Sequence, residues 1–299
     1  MSFRLTGLVA APFTPLHADG TLNPDVIGQQ ARSLRATGVR GAFVCGTTGE
    51  CHSLTVAERK AVAERWVREA GKDMPIVVHV GHHSLPNAQE LAAHAATIGA
   101  SAIAALAPSY FKPQTVADLV DYCAELTAAA PQLPFYYYHI PSLTGVALPM
   151  ADFLRQAAPR IPSLVGIKFT FTDLMMMQEC MAVEDGRFDI VHGTDEILLA
   201  GLALGAQGAV GSTYNYAAAT YHEVMRCFAA GDLVGARRAQ QQAVAMVRVL
   251  IDFGGLRAGK AIMKLSGIDC GPVRRPLRSL DAAETAELTR RLTLPNAVR

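Results

Sequence analysis

The residue with the greatest chemical potential in this chain is a lysine at the end of a strand. Residues 164–170, LVGIKFT, read as a short apolar strand of the kind buried in parallel sheets, with Lys168 near its far end. Burying an unpaired ammonium is costly, so burial disfavours the charged amine. The neutral amine that results attacks carbonyls and forms Schiff bases. A strand lysine also serves as a snorkelling or paired structural residue, and the strand alone leaves both readings open. Upstream, residues 135–141 (FYYYHIP) form a second strand-like run that ends in polar groups. The gap between them holds one helical crossover, which makes the two strands parallel neighbours with both ends on one face. Alternation sends Tyr136 and Tyr138 to one side and Tyr137 to the other. Tyr138, nearest the strand end, is placed to pass a proton through a hydroxyl relay, whereas Tyr136 and Tyr137 read as packing.

Other strand ends carry polar groups too. In GTTGE (46–50), the hydroxyls of Thr47 and Thr48 stand beside backbone N–H groups freed by glycines. That is a cradle for a carboxylate or phosphate, or else a glycine turn whose threonines cap the next helix. PSYFKP (108–113) puts Tyr110 on an exposed loop. GTDE (193–196) sets Asp195 and Glu196 at a helix start, where they favour the dipole or bind substrate hydroxyls. GSTYN (211–215) is again small and hydroxyl-rich. A competing site is HVGHH (79–83), whose His79, His82 and His83 invite a metal ion. Alternation points His79 and His83 the same way only if the strand runs through Gly81, and no carboxylate is adjacent. Local hydrogen bonding is the other reading of those histidines.

The elements that must position these groups follow from the hydrophobic pattern. Strand-like runs end near Phe13, Gly46, Gly81, Pro108, Ile140, Phe169, Gly193 and Ser212. Successive ends lie roughly 19 to 35 residues apart, the length of a βα unit. Helical stretches fill the gaps, for example 56–70 after a Ser53/Thr55 cap, and 87–98. Eight strands alternating with helices predict a closed (β/α)8 TIM barrel, with an open doubly wound sheet as the alternative. In such barrels the active site lies at the C-terminal strand ends, where the polar groups above are found. From about residue 217 the pattern turns wholly helical, over 217–230, 233–253, 257–265 and 282–292. The expected organisation is a single structural domain: a barrel core over 1–216, then a segment over 217–299 that completes the barrel and adds a C-terminal helical extension. That extension covers one side of the barrel or makes a subunit contact. Pro272, Pro276, Arg274 and Arg275 mark a loop before the last helix, and the arginines there read as a solvated face.

Composition narrows the function classes. The 299 residues are 51% hydrophobic and 18% charged, which implies a large buried core rather than disorder. A formal net charge of +1 gives no electrostatic case for nucleic acid or an anionic membrane as partner. No apolar run approaches the roughly 20 residues of a membrane helix. The N-terminal MSFRLTG lacks the charged and apolar regions of a secretion signal. The six cysteines are scattered and lack a CxxC pair, so free thiols in a reducing cytoplasm are expected.

Four motifs, GTTGE (46–50), YHIP (138–141), GIK (166–168) and GSTYN (211–215), occur in an order and spacing that resemble one family. It is the class I aldolase family of pyruvate-dependent lyases that contains N-acetylneuraminate lyase and dihydrodipicolinate synthase, and the resemblance spans residues 5–277. It implies a (β/α)8 barrel, a homotetramer, and no metal or organic cofactor beyond a covalent Schiff base through Lys168. It implies that Tyr138 shuttles protons, and that Thr47 connects it to Tyr110, which enters the site of a neighbouring subunit. Thr48 and backbone N–H groups of its loop would hold the pyruvate carboxylate. In the synthases an arginine after the strand-5 motif grips a second carboxylate, and Leu143 stands there in this chain. IPSLTGV (140–146), GTDE and GAVGSTYN (208–215) are instead similar to the sialic acid branch. In that branch Thr170, Gly193, Asp195, Glu196 and Ser212 would line the sugar site. The expected reaction is reversible cleavage of N-acetylneuraminate to N-acetylmannosamine and pyruvate, with another 2-keto-3-deoxy sugar acid as the alternative substrate. Condensation of the dihydrodipicolinate synthase type and metal-dependent hydrolysis are the remoter alternatives. His139 stands where many relatives have asparagine, which should alter only a neighbouring hydrogen bond. His82 and His83 are unusual for the family and would reshape the pocket rim.

Overall fold

A computed structural model describes residues 3–292. Met1 and Ser2, part of the N-terminal stretch read above, and 293–299, part of the C-terminal segment, lie outside the described residues. Eight parallel strands close on themselves in chain order, with β1 hydrogen-bonded to both β2 and β8. They are β1 (Gly7–Ala10), β2 (Gly41–Val44), β3 (Ile76–His79), β4 (Ala102–Ala105), β5 (Phe135–His139), β6 (Leu164–Phe169), β7 (Asp189–His192) and β8 (Gly208–Gly211). The closed barrel was the expectation, and the open-sheet alternative is overturned by the β1–β8 pairing. The first strand stops at Ala10 rather than near Phe13, because the chain beyond it runs out to meet the C-terminal helices. There the Phe13 ring packs so close to Gly259 that a β-carbon on that glycine would lie 2.4 Å from it.

Helices ring the barrel: α1 (Asp25–Ala36), α2 (Val56–Ala70), α3 (Leu85–Thr97), α4 (Val116–Thr127), α5 (Pro141–Thr144), α6 (Met150–Ala157), α7 (Leu174–Ala182) and α8 (Leu198–Leu204). Helix α2 begins and ends where the sequence places it. Thr55 and Glu58 form a reciprocal capping box there, so its start is specified by chemistry within four residues. After β8 come α9 (Tyr214–Ala229), α10 (Leu233–Asp252), α11 (Leu256–Leu265) and α12 (Ala282–Arg291). Among the described residues no helix is long and apolar enough to cross a membrane. All six cysteines are free and buried.

Two apolar layers follow from strand alternation. Val9, Phe43, Val77, Ala104, Tyr136, Tyr138, Val191 and Val210 fill the barrel interior. Leu8, Val44, Val78, Ile103, Tyr137 and Ile167 face outward against the helices, where the Tyr137 ring lies 4.8 Å from that of Phe153. Below the site, Tyr136 donates a 2.6 Å hydrogen bond to Asp189, which also accepts from the backbone N–H of Leu5. Tyr136 is therefore part of a polar plug at the barrel floor, in addition to packing.

The loop after β2 is tied to the C-terminal region. Glu50, in the left-handed conformation at φ 56°, pairs with Lys260 of α11 at 2.8 Å, both nearly fully buried. Its other oxygen accepts from the Arg274 backbone N–H at 2.8 Å, and Lys260 donates to the Pro272 carbonyl at 2.6 Å. Arg274 departs from the solvated face expected of it. Its half-buried guanidinium donates to the carbonyls of Gly20 and Ser53 and pairs with Glu58. Only Arg275 of that pair is exposed.

Candidate active site

The site forms where β5 and β6 run side by side. Their register jumps between Phe135 and Tyr136: Phe135 pairs with Leu164, and Tyr136 with Gly166. The extra residue on β6 is a bulge. It sets Lys168 level with Tyr138, where an unbroken register from Phe135 and Leu164 would have set it opposite His139. Lys168 is 5% exposed, and its Nζ lies 4.0 Å from the ring centroids of both Phe43 and Tyr138. Burial lowers its pKa from the ordinary 10.5 to about 7, with the more distant charge of Asp195 opposing the fall. A substantial neutral fraction at physiological pH makes this amine a competent nucleophile.

Tyr138 is buried, and its hydroxyl lies 3.3 Å from Thr47 Oγ1. That is long for a hydroxyl pair, as catalytic contacts often are before substrate tightens them. Burial pushes the phenol up to about 12, against the pull of the Thr47 hydroxyl. Tyr138 therefore keeps its proton at neutral pH. The Thr170 hydroxyl is buried without a hydrogen-bond partner, close beneath Gly193, where a β-carbon would lie 2.0 Å from Thr170 Oγ1. Only glycine fits at 193 against this side chain.

A cavity of about 240 Å³ opens beside these groups, lined on one side by Thr47, Thr48, Asp195, Glu196, Ser212 and Thr213. Thr47 joins the two regions, since it lines the cavity and also meets Tyr138. Asp195 is 6% exposed, and burial raises its pKa while hydrogen bonds from Thr213 oppose the rise. The opposite wall is apolar, built from Phe13, Val247, Leu250, Ile251 and Leu256. Sequence reasoning missed this wall, having assigned the C-terminal helices to covering the barrel or to subunit contact. The amphipathic pattern of α10 and α11 marks an apolar face without saying what that face meets. Of the residues given a role in the aldolase reading, Tyr110 stands apart. It is 78% exposed at a loop tip, its ring in edge contact with that of Phe111.

The histidine cluster is committed elsewhere. His79 Nδ1 lies 2.9 Å from the Cys45 carbonyl, and its Nε2 accepts from the Leu106 N–H at 3.3 Å. Burial holds its pKa well below 6.5, so it is a neutral clamp between β2, β3 and β4. Buried Arg59 donates to the carbonyls of Gly81 and His79, adding to that clamp. His82 accepts from the Ser84 N–H, and His83 stacks on His52 at 4.9 Å while its Nε2 meets Ser109. Local hydrogen bonding is thus the arrangement found, and among the described residues no three metal-ligating side chains converge. His52 and Ser109, with Leu143, line a second hollow of about 310 Å³ on the far side of Thr47. His139 departs from its expectation. It faces away from the barrel interior into Phe169 and Phe171, both ring nitrogens lack hydrogen-bond partners, and burial lowers its pKa to about 4.

A family model described as the dihydrodipicolinate synthetase family matches residues 4–294. The chain belongs to that family. N-acetylneuraminate lyase of Xenopus tropicalis is 46% identical over 280 residues, covering 92% of each protein. That of Rattus norvegicus is 45% identical over 294 residues, covering 97% of this chain and 92% of the relative. The solved structure of Proteus mirabilis N-acetylneuraminate lyase superposes with a TM-score of 0.94 at 46% identity, covering 97% of this chain and 98% of that one. Among members of this family, then, the chain is similar to lyases acting on a sialic acid.

The lowered pKa of Lys168 sets a pH profile. Protonated below about 7, the amine cannot attack, so the rate of borohydride-trappable adduct formation with pyruvate rises about tenfold per pH unit up to that value and is flat above it. An acid limb that keeps rising past pH 9 would show an unperturbed lysine and remove the basis for its reactivity.

Proposed function

We propose that this chain cleaves N-acetylneuraminate reversibly to N-acetylmannosamine and pyruvate through a Schiff base on Lys168. The observation that carries the reading is the pairing of a buried lysine of pKa about 7 with Tyr138 at the same level, beside a cavity with a carboxylate-bearing wall. Lys168 attacks the C2 ketone of the open-chain sugar, and loss of water leaves a protonated imine. That iminium draws the electrons of the breaking C3–C4 bond, so no metal or organic cofactor is needed in this scheme. The C4 hydroxyl proton passes through Tyr138 to the substrate's own carboxylate, in keeping with a phenol that holds its proton at neutral pH. The pyruvate enamine is then protonated at C3 and hydrolysed from the lysine.

Thr48 and the backbone N–H groups of its loop hold the carboxylate in this reading, with Thr47 orienting Tyr138. Thr170, Gly193, Asp195, Glu196 and Ser212 form the sugar end, where a polyhydroxylated chain needs several donors and acceptors. Leu143 supplies no partner for a second carboxylate, which counts against condensation of the dihydrodipicolinate synthase type. The assembly we take to be a homotetramer in which Tyr110 reaches a neighbour's site. Exposure of Tyr110 at 78% and Phe111 at 86% supports a partner there. A cytoplasmic location is supported by six unpaired cysteines.

Incubation with N-acetylneuraminate, reduction with borohydride and peptide mass spectrometry test the proposal. A pyruvate-sized adduct on Lys168 is the expected result. An adduct from pyruvate but none from N-acetylneuraminate would keep the lysine chemistry and move the substrate to another 2-keto-3-deoxy sugar acid. No adduct from either would overturn both.

A further inference from the structure

Behind Asp195 runs a chain of hydroxyls that the reaction scheme does not use. Asp195 Oδ2 accepts two hydrogen bonds from one residue, the Thr213 backbone N–H at 3.0 Å and the Thr213 hydroxyl at 2.6 Å. The Thr213 hydroxyl lies 2.7 Å from the hydroxyl of Tyr221 on α9. Thr213 has one hydroxyl proton and a carboxylate can only accept, so the order is fixed: Tyr221 donates to Thr213, and Thr213 donates to Asp195. Tyr221 is fully buried and braced by the Tyr214 ring at 4.7 Å. From the other side, Gln240 of α10 donates to the Asp195 backbone carbonyl at 3.3 Å and accepts from the Leu199 N–H at 2.9 Å.

The remaining oxygen, Oδ1, is buried without a hydrogen-bond partner, and the Tyr214 hydroxyl beside the carboxylate is likewise unpartnered. Oδ1 lies over Gly211, where a β-carbon would sit 1.8 Å away, so only glycine lets the carboxylate occupy this place. Asp195 lines the cavity beside Glu196 and Ser212. A buried carboxylate oxygen left unpaired costs free energy that a ligand hydroxyl recovers on binding. Such an oxygen discriminates well between substrates, because an analogue that lacks the hydroxyl leaves it unpaired.

We propose that Thr213 and Tyr221 are positioning residues for substrate, a hydroxyl relay that pins one oxygen of Asp195 so that the other accepts a hydroxyl from the sugar part of the substrate. The proposal rests on the sugar-acid reading above. It assigns Thr213 and Tyr221 to recognition at the sugar end and leaves the pyruvate end to Lys168 and the loop after β2. Charge-assisted hydrogen bonds are the strong ones, and losing the Thr213 hydroxyl frees the carboxylate to turn away from the cavity.

Steady-state kinetics, paired with borohydride trapping of pyruvate on Lys168, test the relay. For Thr213→Val the KM for N-acetylneuraminate should rise about 10- to 100-fold, while adduct formation with pyruvate stays within about twofold of the unsubstituted protein. Tyr221→Phe, which loses only the outer donor, should raise KM about three- to tenfold. Thr213→Ser keeps the donor and should restore KM to within about twofold. Unchanged KM in both Thr213→Val and Tyr221→Phe overturns the proposal. So does a parallel loss of sugar binding and pyruvate trapping in soluble Tyr221→Phe, which is what a general packing role gives. If Thr213→Val fails to fold, Tyr221→Phe and Thr213→Ser decide alone. If the unsubstituted protein traps pyruvate but does not cleave N-acetylneuraminate, the substrate reading fails and the same variants are measured with the 2-keto-3-deoxy sugar acid that it does cleave.

Discussion

Lys168→Met is expected to abolish turnover, remove the borohydride-trapped adduct, and yield a protein that melts at a higher temperature. The first two results follow from losing the nucleophile, and the third from burial. In the folded state the lysine pKa falls from 10.5 to about 7, so the folded chain holds this proton less tightly than the unfolded one. The resulting penalty is present in full below about pH 7 and disappears as pH rises past 10.5. Its size is on the order of 5 kcal/mol. The faces of Phe43 and Tyr138, each 4.0 Å from Nζ, are packing contacts that a substituted side chain keeps only in part. Methionine fills a similar space without a charge to desolvate, so the variant should gain about 1 to 2 kcal/mol, or a few degrees in Tm. Calorimetry near pH 7 with a coupled activity assay measures both. Turnover above about 1% would refute the assignment of the nucleophile, and a lower Tm would show that Lys168 stabilises the fold.

The second large effect falls on a single step. Tyr138→Phe keeps the ring that covers Lys168 and its edge contact with Phe43 at 5.4 Å, and deletes only the hydroxyl beside Thr47. Imine formation with pyruvate should therefore stay within a few fold. Cleavage of the C3–C4 bond loses its proton relay, and kcat should fall about 100- to 10,000-fold. Single-turnover measurements separate the two steps. Equal losses in trapping and in kcat would point to a packing role for Tyr138 and return the proton transfer to the substrate or to water.

Much of this arrangement can be read along the chain where its determinants are local. The eight strands are short apolar runs spaced by helix-sized gaps, and each lies within a few residues of its expected place. The start of α2 depends on Thr55 and Glu58, three positions apart, so a linear reading finds it. The lysine of LVGIKFT and the tyrosines of FYYYHIP announce themselves because polar groups at the ends of buried strands are costly and need a reason.

What a linear reading leaves open depends on barrel closure and on partners far apart in sequence. The bulge that sets Lys168 opposite Tyr138 and not His139 is a property of two paired strands, invisible in either one. Arg274 looks like a surface loop residue until folding brings Gly20, Ser53 and Glu58 around it. The same is true of Lys260 beneath Glu50 and of Tyr221 behind Asp195, each joined to its partner through contacts no periodicity encodes. Taken by itself, the sequence determined the barrel and the strand-end places of Lys168 and Tyr138, because apolar spacing and the cost of burying charge are written residue by residue. Only the tertiary structure decided the register between them, the apolar wall from α10 and α11, and the supports of Asp195. Those depend on which side chains closure of the barrel brings within a few ångströms of one another.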